Sequence, residues 1–465
     1  MHNKYFVPSD KMLLGFVLAM LTFWLFSLSL NSVVDKLIAD PTLNIPSAQI
    51  ALGITITALF SGCFIVVAGG IGDKIGQLKI TYTGLALTII GSLLLIFATN
   101  AFMFITARIL QGLSAACIMS STLAQIKMYY DGTARQRALS FWSIGSWGGA
   151  GFCTFFGDLV SKNYGWRTIF MISIVVAIIS VLLLFGTPAT KNASPDSKAK
   201  FDRSGLCFFL ITLISLNLFI TNGRSLGWFS PYILIALAIT VVGFIVFYLV
   251  EKRKQDAAFI DFALFKSGAF NGANLSNFLA NCTVGVLSIV PLYIRDGLKF
   301  EHYGWLTLGY AVSVLAMIRV GELILRKVGA KKPMMLGVSI TGIGIVLMAL
   351  TFLPSQTYFI SVAIGFLLFG LGLGFYATPS TDTAVSNSPS EKAGVASGIY
   401  KMASSLGSAF GVAITLSVYY SVLPDNPTLA NVAQTASISL FVNAGFCLLS
   451  VLSVFFLVPK MAGKK

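Results

Sequence analysis

Apolar stretches about as long as a bilayer is thick recur along the whole chain, and they limit what it can fold into. A bilayer core of roughly 30 Å is crossed by about 20 helical residues. Apolar segments of that length alternate with short polar ones across 465 residues, of which 56% are hydrophobic and 11% charged. Because backbone polar groups in lipid must pair within their own segment, these segments form helices. The sequence therefore predicts an all-α integral membrane protein.

Fourteen spans are predicted. They cover residues 12–34, 49–71, 80–99, 102–127, 138–160, 166–187, 204–222, 228–250, 269–294, 303–325, 333–353, 357–382, 392–421 and 437–459. The first span is too long for a signal-peptide core and no small-residue cleavage site follows it, so we expect an uncleaved helix. An even number of spans places both termini on the same side of the membrane.

The basic residues indicate which side that is. With residues at the very ends of spans counted in the adjoining loops, 23 of the 32 Lys and Arg residues lie in the termini and loops on one side, six in the opposite loops and three well inside spans. Because Lys and Arg concentrate in cytoplasmic loops, we expect a multi-pass protein of the bacterial cell membrane with both termini in the cytoplasm. The net charge of +15 then reflects orientation and contact with anionic membrane lipid, and nucleic acid is not an expected partner.

Two long polar stretches, 187–205 and 251–268, divide the chain. They enclose two spans and leave six spans on either side. We therefore predict an N-terminal six-helix bundle over 1–187, cytoplasmic loops with an inserted two-helix hairpin over 188–268, and a C-terminal six-helix bundle over 269–465. A substrate path between two similar bundles is typical of transporters.

A weak internal repeat supports the two-bundle plan. The string "GGIGDKIG" (69–76) follows the second span, and "GELILRKVG" (321–329) follows the second span of the C-terminal bundle, with Arg326 in the place of Asp73. The glycines of the first copy permit a tight turn and a close backbone approach. Asp73 can pair with a cation or with the N-terminus of a helix. The alternative is a loop that only sets topology.

Cofactor sites are not expected. All six cysteines fall in spans without a C-x-x-C spacing, which favours buried apolar thiols. His2 and His302 lie in a terminus and an outer loop, and we expect both at the surface. The sequence holds no G-x-x-x-x-G-K-[ST] string, so the chain has no ATP-binding loop of its own and must run on a gradient or on a separate subunit, which favours a secondary transporter. We find no metal-ligand cluster and no nucleophile–base pair, and therefore do not expect an enzyme.

Two strings resemble signatures of a known family. Gly69-x-x-Gly72-Asp73-Lys74-x-Gly76 resembles the loop signature of the major facilitator superfamily, and "RILQGLSAA" (108–116) resembles its fourth-helix signature. With fourteen spans, and with "GWRTIF" (165–170) and "GLGLGFYATPSTDTA" (370–384) in matching places, the chain is similar to the fourteen-helix drug:proton antiporter branch. Gln77 departs from the pattern, since the family usually has Arg there.

The resemblance carries expectations about fold and activity. It implies the major facilitator fold, two six-helix bundles plus two additional helices, in a monomer without cofactors. It also implies proton-coupled antiport that exports small amphipathic drugs such as quinolones, dyes and quaternary ammonium compounds by alternating access. The loop residues Gly69, Gly72, Asp73, Lys74 and Gly76 would form the gate that closes the cytoplasmic face.

Charged residues inside spans are expensive and call for a partner or a function. Our order of candidates for the group that exchanges the proton is Glu322, Asp382 and then Lys401. Arg108 matches the arginine to which the family assigns a part in proton coupling. Because arginine stays charged, we interpret Arg108 as an electrostatic partner of another group. Arg319 is also a proton-coupling candidate, although Arg319 and Glu322, three residues apart, can equally form a structural ion pair. Asp382 can alternatively reach water at the interface.

Aromatic and polar residues near mid-membrane are candidates for substrate binding. They are Trp24, Phe26, Asn31, Trp147 and Gln111. Aromatic faces with few polar anchors suit flat amphipathic compounds. An ordinary helix interface is the alternative. Three further tryptophans at span ends, Trp166, Trp228 and Trp305, are expected in the interfacial belt.

Glycines spaced by four occur in two spans at equivalent places of the bundles. Gly145 and Gly149 lie in the fifth span, and Gly407 and Gly411 in the thirteenth. This spacing lets helix backbones approach closely, either for static packing or for sliding contacts.

Two functional hypotheses compete with drug export. One is export of an endogenous metabolite, lipid or peptide on the same fold, and the other is a non-transporting membrane sensor.

Overall fold

The protein is described here by a computed structural model. It describes residues 8–43, 45–189, 202–254, 260, 262–300, 304–424 and 426–460. All regular secondary structure within these ranges is helical. The predicted surface positions of His2 and His302 lie outside the described residues.

Seventeen α-helices occur in the described part of the chain. In order they are α1 Asp10–Leu21, α2 Val34–Ile38, α3 Ser47–Ile75, α4 Gln77–Ile96, α5 Ala101–Tyr129, α6 Gly132–Ser143, α7 Gly149–Tyr164, α8 Arg167–Leu184, α9 Arg203–Leu226, α10 Pro231–Lys254, α11 Gly268–Cys282, α12 Val286–Leu292, α13 Leu308–Val328, α14 Lys331–Met348, α15 Ser355–Ser386, α16 Ala393–Val422 and α17 Leu429–Leu457. Two π-helical turns interrupt longer rods at Thr22–Ser27 and Ile144–Gly148, and a third, Tyr293–Gly297, follows the end of α12.

Side chains at the helix starts explain several of these boundaries. Asn100 accepts a hydrogen bond from Met103 N at 3.0 Å and caps α5, and Asp202 accepts one from Gly205 N at 2.8 Å and caps α9. Thr428 and Asn431 form a reciprocal capping box at the start of α17. Such caps satisfy N–H groups that the first turn of a helix leaves unpaired.

Twelve helices in the described ranges are long and apolar enough to cross a membrane. The remaining two predicted spans correspond to α6 and α7 with their π turn, and to α9, of which only Ser204–Ile220 is apolar. Both positions are helical. The prediction of an all-α, multi-pass membrane protein is confirmed, while the count of fourteen spans stays a prediction.

The segment predicted as a loop between spans 2 and 3 is much shorter than expected. Helix α3 continues to Ile75 and α4 begins at Gln77, so that Gly76 is the only residue between them. Gly76 has φ 106°, in the region that favours glycine. The corresponding residue of the weak repeat, Gly329 at φ 80°, ends α13 in the same way. The turn therefore depends on Gly76, and Gly69 and Gly72 are helical.

The chain forms two compact units. The first consists of the described residues up to 189 together with Ser388–Met402, and the second consists of the described residues from 202 to 387 and from Ala403 onwards. In the first unit α5 packs on α3 and α4, and α8 packs on α1 and α4. In the second unit α15 packs on α13 and α14, α17 packs on α11 and α14, and α9 pairs with α10. The predicted three-part division at 187 and 268 stays a prediction.

The four glycines at spacing four do face close helix neighbours, as predicted. A methyl group on any of them would press on a neighbouring helix: Gly145 on Val17 O, Gly149 on Trp24 Cβ, Gly407 on Phe278 O and Gly411 on Cys282 O. Each pair lies within one unit. Helices that approach to backbone distance need residues without a Cβ at the contact.

A polar cluster in the first unit explains the string "GWRTIF". Asp40 accepts hydrogen bonds from Trp166 Nε1 at 2.8 Å and from Arg167 at 2.5 Å, and Arg167 also stacks over the Trp166 ring. Burial raises the pKa of the Asp40 carboxyl, but hydrogen bonds from Thr42, Trp166 and Arg167 outweigh burial and hold that pKa well below its usual value. Asp40 therefore joins the end of α2 to the start of α8.

One expectation about side-chain exposure is wrong, and the place of the three tryptophans in the interfacial belt stays a prediction. Trp166 is 5% exposed and belongs to the apolar core, because its indole N–H finds a partner there. Trp305 is exposed and Trp228 is partly buried. Cys207, expected to be buried, is exposed.

Candidate functional site

Asp73, near the end of α3, binds the start of α16. Its Oδ1 accepts a hydrogen bond from Gly394 N at 2.8 Å and its Oδ2 accepts one from Val395 N at 3.0 Å. The first N–H groups of a helix have no partner within the helix and carry partial positive charge. The carboxylate supplies both an acceptor and the opposite charge. Of the two partners proposed for Asp73 from the sequence, the helix N-terminus is observed in direct hydrogen bonds, and a cation, Lys127, adds a charge interaction.

Gln77 completes this contact. Its Nε2 donates to Asp73 Oδ1 at 2.8 Å and to Gly69 O at 3.1 Å, and the residue is fully buried. An arginine, usual here in the family, would bring a second cation to the carboxylate; the neutral amide orients Asp73 without competing for its charge. Lys74 and Lys79 lie on the same segment, at the end of α3 and the start of α4.

Glycines let α3 and α16 approach closely. A Cβ on Gly69 would press on the carbonyl oxygen of Gly394, and a Cβ on Gly398 would lie 2.8 Å from Val66 Cα. On Gly72, a Cβ would meet the Gln77 side chain. Gly69 and Gly72 are therefore needed for packing rather than for a turn.

Arg108 lies in a pocket of neutral acceptors. It is 1% exposed and donates to Gln111 Oε1 at 2.6 Å, to Gly53 O at 3.1 Å and to Ser27 O and Oγ at 3.2 Å each. No carboxylate of the described residues contacts it. The structure thus brings together two predicted site residues, Arg108 and Gln111, on consecutive turns of α5.

The rest of the "RILQGLSAA" string serves packing. A Cβ on Gly112 would lie 2.6 Å from Thr57 O, and Thr57 donates to Arg108 O at 2.9 Å. Helices α3 and α5 are therefore in backbone contact at the level of the arginine, so that its guanidinium is enclosed.

Lys401 is enclosed by two tryptophans. It lies on α16 about two turns from its start, is 2% exposed, and donates to Ser146 Oγ at 3.3 Å. Its ammonium lies 5.3 Å from the Trp24 ring centroid and 5.0 Å from that of Trp142. Cation–π contacts of this kind contribute about 0.5–2 kcal/mol. Trp142 is itself fixed, because its Nε1 donates to Thr122 Oγ1 at 2.9 Å.

π-helical turns position two of these contacts. Trp24 belongs to the turn Thr22–Ser27 and Ser146 to the turn Ile144–Gly148. A π turn inserts one extra residue and rotates the side chains that follow, and such turns are frequent at functional sites. The lysine therefore meets two irregular helix segments.

The other predicted substrate residues are not gathered at this site. Phe26 is 3% exposed and packs edge-on against Phe156 in the apolar core of the first unit. Trp147 is partly buried within its π turn. The side chain of Asn31 lies outside the described residues. Of the five predicted, Trp24 contacts Lys401 and Gln111 contacts Arg108.

Glu322 is held between two arginines on its own helix. It is fully buried, and both carboxylate oxygens are used, one by Arg319 and the other by Arg326. The predicted pair between Arg319 and Glu322 is thus observed. The additional partner, Arg326, is the residue that holds the place of Asp73 in the weak repeat.

Asp382 lies in the second unit near the end of α15 and is 1% exposed. It accepts a hydrogen bond from Ser386 Oγ at 3.0 Å. The alternative of an aspartate in interfacial water is not what the structure shows, because the carboxyl is enclosed by protein.

The family profile of the Major Facilitator Superfamily matches residues 12–412. The chain belongs to this superfamily. It is 49% identical over 98% of its length, and of theirs, to proteins named quinolone resistance protein NorB from Staphylococcus aureus strains MRSA252 and MSSA476. This member of the superfamily is therefore a transporter and not an enzyme.

Solved structures agree on the fold of this superfamily member. The proton:xylose symporter XylE, bound to 6-bromo-6-deoxy-D-glucose, has a TM-score of 0.66 at 16% identity and covers 98% of this chain and 97% of its own. The human organic anion transporter MFSD10 has a TM-score of 0.65 at 13% identity and covers 96% of this chain and 98% of its own. At such identities the likeness concerns the fold alone.

Sequence reasoning missed three residues that this superfamily member places in its candidate site. Trp142 and Ser146 contact Lys401, and Gln77 orients Asp73. Gln77 could have been found, since an amide that replaces the family's arginine just past the turn at Gly76 lies close to Asp73 in the chain and can bind its carboxylate. Trp142 could not, because its contact with Lys401 joins residues 259 positions apart.

Proposed function

We propose that the protein is a proton-coupled antiporter that exports small amphipathic drugs, including quinolones, dyes and quaternary ammonium compounds, by alternating access. One observation carries the proposal: inside a candidate membrane span, Lys401 lies between the rings of Trp24 and Trp142. Aromatic walls around a polar group suit flat amphipathic molecules. The full-length similarity to proteins named for quinolone resistance supports drugs as the substrate class.

The gate in this proposal is the contact of Asp73 with α16. When the carboxylate binds the N–H groups of Gly394 and Val395, the end of α3 holds the start of α16 in place. Alternating access requires a contact that forms in one state and breaks in another. Hydrogen bonds from a helix end to one carboxylate can do so without exposing an apolar surface.

Glu322 is the first candidate to carry the proton. Its carboxylate is fully buried while its partners Arg319 and Arg326 have side chains that are 36% and 32% exposed. Protonation would remove the charge that holds both arginines and allow them to rearrange. Proton binding would then move charged side chains of α13. Asp382 is the second candidate, on account of its burial.

Drug-induced collapse of a pH gradient tests the function. Inverted membrane vesicles with an imposed gradient would receive norfloxacin or ethidium, and a pH-sensitive dye would report proton flux. Vesicles with the protein should lose their gradient on drug addition, and vesicles with Glu322→Gln should not. Asp158→Asn is the matched control, because Asp158 is exposed and makes one surface ion pair with Lys36.

The outcomes separate the alternatives. A gradient that responds to neither drug would contradict drug antiport and favour export of an endogenous metabolite, lipid or peptide, or a sensor. A drug response that persists in Glu322→Gln but is lost in Asp382→Asn would identify Asp382 as the residue that carries the proton.

The placement of both termini in the cytoplasm and the monomeric state belong to the same proposal. Protease access to terminal tags tests the first, and the mass of the protein in detergent tests the second.

A further inference from the structure

Lys401 lies among polar groups that the protein leaves without hydrogen bonds. An ammonium has three N–H donors, yet the described contacts of Lys401 are one hydroxyl, that of Ser146, and two ring faces. A charge enclosed in a membrane span calls for a counter-charge. No carboxylate in the described ranges supplies one.

Further buried polar atoms on the same elements are also unpaired. Within the part of the chain that the structure describes, Trp24 Nε1, Ser397 Oγ and Ser143 Oγ have no hydrogen-bond partner. Ser397 precedes Lys401 by one helical turn and is 2% exposed; Ser143 precedes Ser146 by about one turn and is fully buried. Buried polar atoms in proteins are almost always paired, so unpaired ones call for a ligand or water.

We propose that Lys401, Trp24 and Trp142 form a binding site for the carboxylate of an aromatic carboxylic acid. The carboxylate would accept hydrogen bonds from the Lys401 ammonium. It would also supply the counter-charge that no carboxylate in the described ranges provides. The attached ring system would stack on the Trp24 indole, while Trp142, fixed by Thr122, forms the rigid wall. This inference rests on the proposed function, for which it names the substrate class.

In this proposal, substrate binding and proton exchange belong to different residues. A bound carboxylate favours the charged form of Lys401, whereas a substrate that exchanges against protons must weaken proton binding. Lys401 is therefore a substrate-binding residue, and the exchanged proton lies on a different group, such as Glu322. Substrates without a carboxylate would use the aromatic walls alone.

A comparison of one ring system with and without its acid tests the site on the unaltered protein. The purified full chain in detergent would be loaded with ethidium, and norfloxacin or its ethyl ester would displace it. Norfloxacin should displace ethidium at a concentration at least tenfold lower than the ester does. Equal displacement, or stronger displacement by the ester, would overturn the inference.

Variants then assign the preference to the lysine. Lys401→Gln should lower the ratio of acid to ester affinity at least tenfold, and Lys401→Arg should retain part of it because a cation remains. Lys162→Gln, on an exposed lysine, is the matched control. A ratio unchanged in Lys401→Gln would contradict the site; if that variant does not fold, the unaltered protein decides alone.

The two proposals fail in different ways. Should vesicles with the unaltered protein transport neither norfloxacin nor ethidium, the proposed function would be wrong. Should they transport both while acid and ester bind equally, drug antiport would stand and the carboxylate site would be wrong.

Discussion

Asp73 Oδ1 accepts a hydrogen bond of 2.8 Å from the backbone N–H of Gly394, which lies 321 residues further along the chain. Asp73→Asn keeps the shape but places an NH2 group opposite a backbone N–H, and it removes the negative charge at the helix start. Loss of a charge-assisted hydrogen bond costs about 1.5–3 kcal/mol, which corresponds to roughly tenfold or more in the equilibrium that the contact controls. We expect at least a tenfold loss of drug-dependent proton flux in vesicles with unchanged amounts of protein.

Asp158→Asn provides the comparison for this variant. Its side chain is 68% exposed and its ion pair with Lys36 is a surface pair, which contributes little. Flux should remain at the level of the unaltered protein. Full transport by Asp73→Asn would leave the gate without support.

Gly69→Ala tests the close approach of α3 and α16 independently of charge. The new methyl group would press on the carbonyl oxygen of Gly394, and backbone atoms on both sides cannot rotate away. We expect the start of α16 to be displaced, with transport reduced as in Asp73→Asn. Gly445→Ala is the matched control, since nothing lies within 4 Å of a Cβ there and alanine favours a helix. Equal transport by the two alanine variants would show that the approach is not needed.

The sequence predicted the helices well and the partners of the charges less well. Long apolar segments and glycine spacing are local patterns, so the helical fold and the contacts of Gly145 and Gly411 followed from them. The partner of Asp73 was narrowed to a helix N-terminus or a cation without identifying α16, because charge alone does not identify a segment hundreds of residues away. Arg326 as a second partner of Glu322 follows from a spacing of four on one helix, and it was within reach of the sequence.

The two arginines around Glu322 should show non-additive effects. Arg319→Met or Arg326→Met leaves the buried carboxylate one cation, whereas the double variant leaves a buried charge without either. Removing the partner of a buried charge costs about 3–5 kcal/mol. We expect each single variant to lower the unfolding temperature slightly and the double variant to lower it by more than the sum.

Thermal unfolding in detergent measures this coupling, and Glu322→Gln supplies the test. With the carboxylate removed, the same double arginine change should no longer be more than additive. Additive effects in the presence of Glu322 would show that the three side chains do not act as one cluster.

Asp40 gives the folded protein a stability that depends on pH. Because its hydrogen bonds from Thr42, Trp166 and Arg167 hold its pKa below the usual value of 3.8, the folded state favours the ionised form. The stabilisation is complete above the unfolded-state pKa and is lost as the pH falls below it towards the folded-state pKa. At pH 7, Asp40→Asn should lower the free energy of unfolding by about 1–3 kcal/mol, because the neutral amide replaces the charged acceptor of the hydrogen bonds from Trp166 and Arg167. Thermal unfolding in detergent from pH 7 to pH 3 should show the difference between the two proteins shrinking below about pH 4, while Asp158→Asn follows the unaltered protein throughout. A difference that stays constant down to pH 3 would mean that Asp40 holds α2 and α8 together by shape and not by charge.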